Sequence, residues 1–217
     1  TQSFDVESLR MRSVNKAALQ REVGLPNRAE TPLLGVVSRL DPLKGLDIML
    51  PALESLLSQQ DVQFVLLGTG ESGYEERFRL LQQKFPDRVR VFIKFDDRLA
   101  RRIYAGIDMF LMPSQYEPGG LGHMIALRYG AVPVVRATGV LADTVIDATT
   151  QPKRGNGFVF RPYTADAFGE ALQRALLVYH NSGQWQALQR RAMDFDFSWS
   201  NSARAYVDLY RRARAQH

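Results

Sequence analysis

Arg39 and Lys44 stand five residues apart in the run Ser38-Arg39-Leu40-Asp41-Pro42-Leu43-Lys44-Gly45, which leads from an apolar stretch into an amphipathic one. Two cations at the amino end of a helix make a trap for a phosphate. Backbone N–H groups and the helix dipole favour the anion, arginine adds a bidentate fork and lysine a compact charge. A surface arginine and lysine in an ordinary loop would look the same on this run alone. A second run, Pro113-Ser114-Gln115-Tyr116-Glu117-Pro118-Gly119-Gly120-Leu121-Gly122-His123, puts a carboxylate on a proline-bounded turn just before a helical stretch. Its glycines, Gly120 and Gly122 among them, bare N–H groups that can cradle a pyrophosphate, and Glu117 can accept hydrogen bonds from sugar hydroxyls. The plainer alternative is a turn whose glutamate caps the helix. Thr138-Gly139 repeats the arrangement further on and is open between ligand contact and capping. Gly68-Thr69-Gly70 is equally a close approach to a ligand or a tight turn. Phe95 completes a set of five loops that carry a residue suited to a nucleotide or a sugar.

These loops share one origin, because each follows a short apolar run. The runs alternate with amphipathic stretches from Leu33 onward, the signature of repeated βα units and a parallel sheet. Strands are expected at Leu33–Val37, Val62–Leu67, Val89–Ile93, Asp108–Met112, Val132–Val135 and Gly157–Phe160. Helices fall between them at Gly45–Leu57, Tyr74–Lys84, Arg98–Ala105, Leu121–Tyr129 and Leu141–Ile146, and then at Thr164–His180, Trp185–Met193 and Ser198–Ala213. The expected fold is α/β: a Rossmann-like, doubly wound parallel sheet of about six strands with flanking helices. Ligands of such sheets settle outside the carboxyl ends of the strands, where the five loops lie. Leu172 with Leu176, and Tyr206 with Leu209 and Tyr210, repeat at helical spacing and are expected to be packing stripes. Residues 1–30 are polar and read as a linker with a helix around Asn15–Gln20 that stops at Gly24-Leu25-Pro26, leading out of something absent. Residues 31–217 form the binding domain, with only helices from about 164.

Composition narrows the classes of partner. The 217 residues are 45% hydrophobic and 24% charged, ordinary for a globular chain. The absence of cysteine removes disulfides and thiolate metal sites and fits a cytoplasmic setting. His123, His180 and His217 are too scattered for a zinc site, and no stretch has the length of a membrane span. The net charge of +5 is modest. Its concentrations, Arg98, Arg101 and Arg102 and then Arg204, Arg211, Arg212 and Arg214, fall at helical spacing without interleaved exposed aromatics, so no nucleic-acid partner is expected. No Gly-x-Ser-x-Gly elbow, Walker loop or His-Glu-x-x-His helix occurs, and Asp41, Asp108 and Asp143 show no spacing for acid/base work. Arginine and lysine in the first βα turn, in place of glycines, argue against a nicotinamide enzyme.

From about Asn15 to its end the chain resembles the C-terminal half of bacterial glycogen and starch synthases, retaining glycosyltransferases of the two-domain GT-B architecture. The resemblance rests on Val37 to Asp47, Tyr104-Ala105-Gly106, Asp108 to Ser114, Ile125 to Gly130 and Leu141 to Val145. It implies that the chain is one half of a GT-B fold. It also implies that Arg39 and Lys44 hold the distal phosphate of ADP-glucose, that Phe95 lies against adenine, that Glu117 binds the transferred glucose, and that the backbone of Leu121 and Gly122 meets the phosphates. Retention by front-face attack of an acceptor 4-hydroxyl, with neither cofactor nor obligatory metal, is implied in the same way. The α-1,4-glucan acceptor would sit on an N-terminal domain, so these residues alone would bind nucleotide and not transfer glucose. The family's last helix crosses to that domain, so Trp199, Tyr206 and Tyr210 would expose an apolar face that favours self-association. Two other readings stand beside this one: a retaining GT-B enzyme using UDP-glucose, and a non-catalytic module that senses an ADP-sugar or binds glucan. Three residues depart from the family's pattern. Gly119 replaces Cys, His123 replaces Gln at a position expected among the nucleotide-sugar-binding residues, and Val140 replaces the second glycine of a Thr-Gly-Gly turn, where a β-branched residue would resist φ > 0.

Overall fold

The computed structural model describes residues 2–215; Thr1, Gln216 and His217, one of the three histidines counted above, lie outside the described residues. Six parallel strands run as β1 (Leu33–Val37), β2 (Gln63–Gly68), β3 (Val89–Ile93), β4 (Met109–Met112), β5 (Val132–Arg136) and β6 (Phe158–Phe160). Their order in the sheet is β3-β2-β1-β4-β5-β6, the doubly wound arrangement expected from the sequence. The helices are α1 (Arg12–Val23), α2 (Leu46–Gln59), α3 (Ser72–Lys84), α4 (Asp97–Gly106), α5 (Gly122–Arg128), α6 (Gly139–Thr144), α7 (Ala165–Tyr179), α8 (Ser182–Met193) and α9 (Trp199–Ala215). No described helix is long and apolar enough to cross a membrane.

Side chains alternate across a strand, and here both alternating sets are apolar, so both faces of the sheet need cover. Leu34, Val36, Phe64, Leu66, Met109 and Leu111 pack under α2, α3, α7 and α8. Leu33, Val65, Leu67 and Phe110 pack under α1, α4 and α5. Local chemistry starts several of the helices where they start. Asp96 accepts from the N–H of Leu99, Thr164 from that of Ala167 and Asn181 from that of Gln184, each satisfying a donor that a helix leaves unpaired. Gly24, at φ 75°, closes α1 where the sequence predicts a stop.

The polar segment before residue 31 holds α1, which is docked and not free. Leu19 and Val23 join the core, and Gly106 lets the backbone of α4 come so close that an added Cβ would lie 2.8 Å from the Cβ of Leu19. Polar residues do the rest. Lys16 is 7% exposed at its side chain and its Nζ lies 2.7 Å from Oδ2 of Asp108. The same ammonium reaches the carbonyls of Thr31 at 2.7 Å and Ala29 at 2.9 Å and the hydroxyl of Tyr179 at 2.9 Å. Asp108 Oδ2 also accepts from the N–H of Leu33, the first residue of β1, at 2.9 Å. Gln20 donates to Gln63 at 2.6 Å, and Arg12 donates to the carbonyl of Ile107. Burial lowers the Arg12 guanidinium to about 10, against the opposing pull of Asp108. Asp108, unpaired by sequence spacing, is therefore the centre of a buried network at the amino ends of the strands.

The expected stripe on the last helix needs correction. Leu172 and Leu176 on α7 are buried, but every residue of α9 is exposed, Tyr206, Leu209 and Tyr210 among them, and Trp199 is 90% exposed. Helical spacing shows that a face is apolar and not that anything covers it.

Candidate functional site

The order of the strands makes one crevice special. The chain passes from β1 to α2 on one face of the sheet and from β4 to α5 on the other, and β1 and β4 are neighbours, so their loops diverge and leave a gap at the carboxyl ends. Lys44, on a single helical turn at Pro42–Lys44, enters this gap from one side and Glu117 from the other. Their charges meet: Nζ lies 2.7 Å from Oε2, with the side chains 18% and 6% exposed. Ser114 Oγ donates to the same oxygen at 3.2 Å. That leaves Oε1 without a hydrogen-bond partner among the described residues. Gly120 lies directly over it, where an added Cβ would be 2.7 Å away.

Two glycines permit this geometry. Gly45 takes φ 71°, and a Cβ there would lie 2.1 Å from the carbonyl oxygen of Pro113, so only glycine lets the β1 loop rest on the β4 loop. The N–H of Gln115 then bonds to the carbonyl of Leu43 at 2.8 Å. Gly139 takes φ 47° with its Cβ position 2.1 Å from the carbonyl oxygen of Glu117, and the next N–H, of Val140, donates to that oxygen at 3.0 Å. The strain expected at Val140 is absent. No described residue other than glycine has positive φ, because Gly139 alone makes the turn and Val140 already belongs to α6.

The remaining candidates fall around this centre. Arg39 stands at the rim, its side chain 79% exposed and its Nη2 3.2 Å from Asp41 Oδ2, so the two cations of the β1 loop do not converge without a ligand. Gly68 and Gly70 are explained by close approach of protein backbone: added Cβ atoms would lie 2.0 Å from the carbonyl oxygen of Ser38 and 2.2 Å from that of Leu40. Leu40 and Gly70 form an isolated bridge that lays one loop on the other. Thr138 precedes α6 but its hydroxyl makes no cap bond, which removes the capping alternative. Leu121, 66% exposed, precedes α5 and Gly122 begins it, where a helix leaves its first N–H groups unpaired.

Phe95 follows β3 and is 90% exposed. It lines a cavity of about 260 Å³ with Val37, Arg39, Leu67, Gly68 and Lys94. The loop under it is pinned, since Lys94 pairs with Asp96 at 2.8 Å and Asp96 caps α4. A flat ring held out from a fixed loop is a platform for another ring.

His123 does not face the crevice, contrary to the placement expected for it. The residue is fully buried, and its Nε2 lies 2.8 Å from Oγ1 of Thr144 on α6. Burial pushes its pKa down to about 4, against an upward pull from Glu117, so the ring is neutral near pH 7. Position 123 is the second residue of α5 and turns to the core side of that helix, which the sequence pattern did not reveal. Ser114 and Thr144 went unnoticed for a related reason, since a lone hydroxyl carries no signal until the turn around it is folded.

The family model described as glycosyl transferases group 1 matches residues 21–187. A protein named glycogen synthase from Moorella thermoacetica is 53% identical over 212 residues, which are 97% of this chain and 43% of that protein. Another of that name from Syntrophotalea carbinolica is 51% identical over all 217 residues and 45% of its own length. Among solved structures, the catalytic domain of starch synthase IV from Arabidopsis thaliana bound to ADP and acarbose superposes with a TM-score of 0.89 at 37% identity, covering 98% of this chain and 44% of that one. The chain thus spans less than half the length of these three relatives.

Proposed function

This chain belongs to the group 1 glycosyl transferases, and we propose that it is the nucleotide-sugar-binding half of a GT-B enzyme that transfers glucose from ADP-glucose to the non-reducing end of an α-1,4-glucan with retention. The observation that carries the proposal is the contact of Lys44 with Glu117 across the β1/β4 crevice, flanked by the Phe95 cavity. The names of the relatives, and the ADP and acarbose in the starch synthase IV structure, support the choice of nucleotide and sugar.

Each residue has a part in this reading. The base stacks on Phe95, and the diphosphate runs from that cavity to Lys44, with Arg39 swinging from Asp41 onto the anion. Glu117 accepts hydrogen bonds from the glucose at Oε1, its free oxygen. As the glycosidic bond breaks, negative charge grows on the leaving diphosphate, and fixed cations beside it lower the barrier without reorganising. Leu121, Gly122 and Thr138 supply donors to the phosphates and the sugar. The acceptor site and the remaining contacts belong to a further domain, on which the apolar face of α9 packs. In the isolated chain that face favours self-association. A cytoplasmic setting, matching the lack of cysteine, completes the proposal.

Titration calorimetry with ADP, UDP and ADP-glucose tests it. ADP is expected to bind more tightly than UDP, and Phe95→Ala to weaken ADP about tenfold, since stacking on an aromatic is worth roughly 1–3 kcal/mol per base. Tighter binding of UDP, or an indifferent Phe95→Ala variant, rejects the nucleotide assignment. The 217-residue chain by itself is expected to elongate no glucan when incubated with ADP-glucose and maltooligosaccharide. Measurable elongation overturns the division of labour between two domains.

A further inference from the structure

We propose that His123 is a positioning residue for the sugar-binding carboxylate: by donating from Nε2 to Thr144 it closes the loop that carries Glu117 onto α6. The inference rests on the reading of Glu117 as the glucose contact.

A count of protons sets the direction of the bond. The Thr144 hydroxyl has one hydrogen, and it is committed to the carbonyl of Val140 at 2.5 Å. It has none for the imidazole, so Nε2 must be the donor and Nδ1 the bare acceptor. Nδ1 is buried and has no hydrogen-bond partner among the described residues. A histidine retained for stability alone would be expected to satisfy both nitrogens. This one leaves a lone pair idle and uses its other nitrogen to reach one particular hydroxyl.

That hydroxyl is well placed. Thr144 is held from its other side by Asn156, fully buried, whose Nδ2 donates to the Thr144 carbonyl at 3.0 Å while its Oδ1 accepts from the N–H of Ile146 at 2.8 Å. At the opposite end of α6 the N–H of Val140 donates to the carbonyl of Glu117. The loop is therefore tied to one short helix at both ends: at Glu117 through Val140, and at His123 through Thr144. Between these ties lie Pro118, Gly119 and Gly120, which make no backbone hydrogen bond outside regular elements. A segment with two glycines and no bonds of its own depends on its ends for its shape. Without the tie at His123, α5 and the glycine segment can drift from Glu117, and Gly120 need not stay over Oε1.

Amide hydrogen exchange and calorimetry on His123→Leu, His123→Gln, Thr144→Val and the His123→Leu/Thr144→Val double variant test this. His123→Leu is expected to speed exchange about tenfold at Val140 and Ile125, whose N–H groups donate to the carbonyls of Glu117 and Leu121, and Thr144→Val to do at least as much. The double variant is expected to be no worse than Thr144→Val alone, which already removes the shared bond together with the one to the Val140 carbonyl. Glutamine can donate to the same hydroxyl, so His123→Gln is expected to remain within about threefold of the parent protein. Affinity for ADP-glucose is expected to fall about tenfold in His123→Leu and to return to within about threefold of the parent protein in His123→Gln, a rescue that general loosening would not produce. The ¹⁵N shifts of the ring are expected to report a neutral imidazole protonated at Nε2. Unchanged exchange in a folded His123→Leu variant, additive effects in the double variant, or a ring protonated at Nδ1 overturns the proposal. If the parent protein binds no ADP-glucose, the functional reading fails, and the exchange data still decide whether His123 holds the loop.

Discussion

Replacing Glu117 with alanine is expected to lower kcat/KM of glucose transfer by about 10²–10³ in the enzyme that contains this domain, the scale seen when one fixed electrostatic contact to a transition state is deleted. Two losses combine. The glucose loses its acceptor at Oε1, and Lys44 loses the carboxylate at 2.7 Å that holds its ammonium in the crevice. Removing one member of a buried pair leaves the other charged and desolvated. The cost in stability is expected near the low end of the ~3–5 kcal/mol range, about 3 kcal/mol, because the lysine retains some access to water. Glu117→Gln separates the two losses, since an amide keeps the shape and accepts from a hydroxyl but carries no charge for Lys44. Lys44→Ala is expected to act differently: it leaves the carboxylate unpaired beside the arriving diphosphate, so ADP affinity suffers more than in Glu117→Ala. Steady-state kinetics of the three variants, with thermal unfolding beside them, measure this. A Glu117→Ala enzyme within about tenfold of the parent in kcat/KM would reject the role given to Glu117.

The largest expected loss of stability lies at the other end of the sheet. Asp108→Ala removes the carboxylate that meets Lys16 at 2.7 Å and leaves the N–H of Leu33 without its acceptor. With the side chains 7% and 10% exposed, neither water nor rotation restores what is lost, and a penalty of about 3–5 kcal/mol is expected. For a domain of this size that corresponds to roughly a 10 °C fall in Tm. The double variant Lys16→Met/Asp108→Leu is expected to recover much of the loss, because a buried ion pair exchanged for apolar groups of similar size is often neutral. ADP affinity measured well below Tm is expected to be unchanged, since Asp108 precedes β4 and the crevice lies beyond the strand's far end. Calorimetric unfolding with ADP titration at 15 °C checks both halves. A Tm within about 2 °C of the parent would show that the Lys16–Asp108 pair does not hold α1 in place.

The strands were the most legible part of the sequence. Leu33–Val37 and Val89–Ile93 begin and end as expected, three others differ from expectation by one residue at one end, and β2 is shifted by one residue at both ends. A strand buried on both faces is apolar along most of its length, so its composition marks its bounds to within a residue. The candidate site loops were legible for a related reason: in a doubly wound sheet any residue just past a strand lies at the face where ligands settle, and Arg39, Lys44, Phe95, Glu117 and Thr138 inherit that position from chain order alone. Residues 12–20 were least legible. Arg12, Asn15, Lys16 and Gln20 are buried, yet polar side chains along a helix ordinarily mean solvent. Their partners are main-chain carbonyls and residues as distant as Asp108 and Tyr179, and no local pattern announces such partners.

By itself, then, the sequence determined the alternation of strand and helix, the ligand face and the kinds of residue gathered there, because hydrophobic period and chain order act locally. Only the tertiary structure decided how those residues meet. It joins Lys44 to Glu117, parks Arg39 on Asp41, clears Val140 of strain, turns His123 inward to Thr144 and leaves α9 uncovered. The Lys44–Glu117 and His123–Thr144 contacts join segments far apart in the chain and are set by which loops lie within a few ångströms once the sheet has ordered its strands.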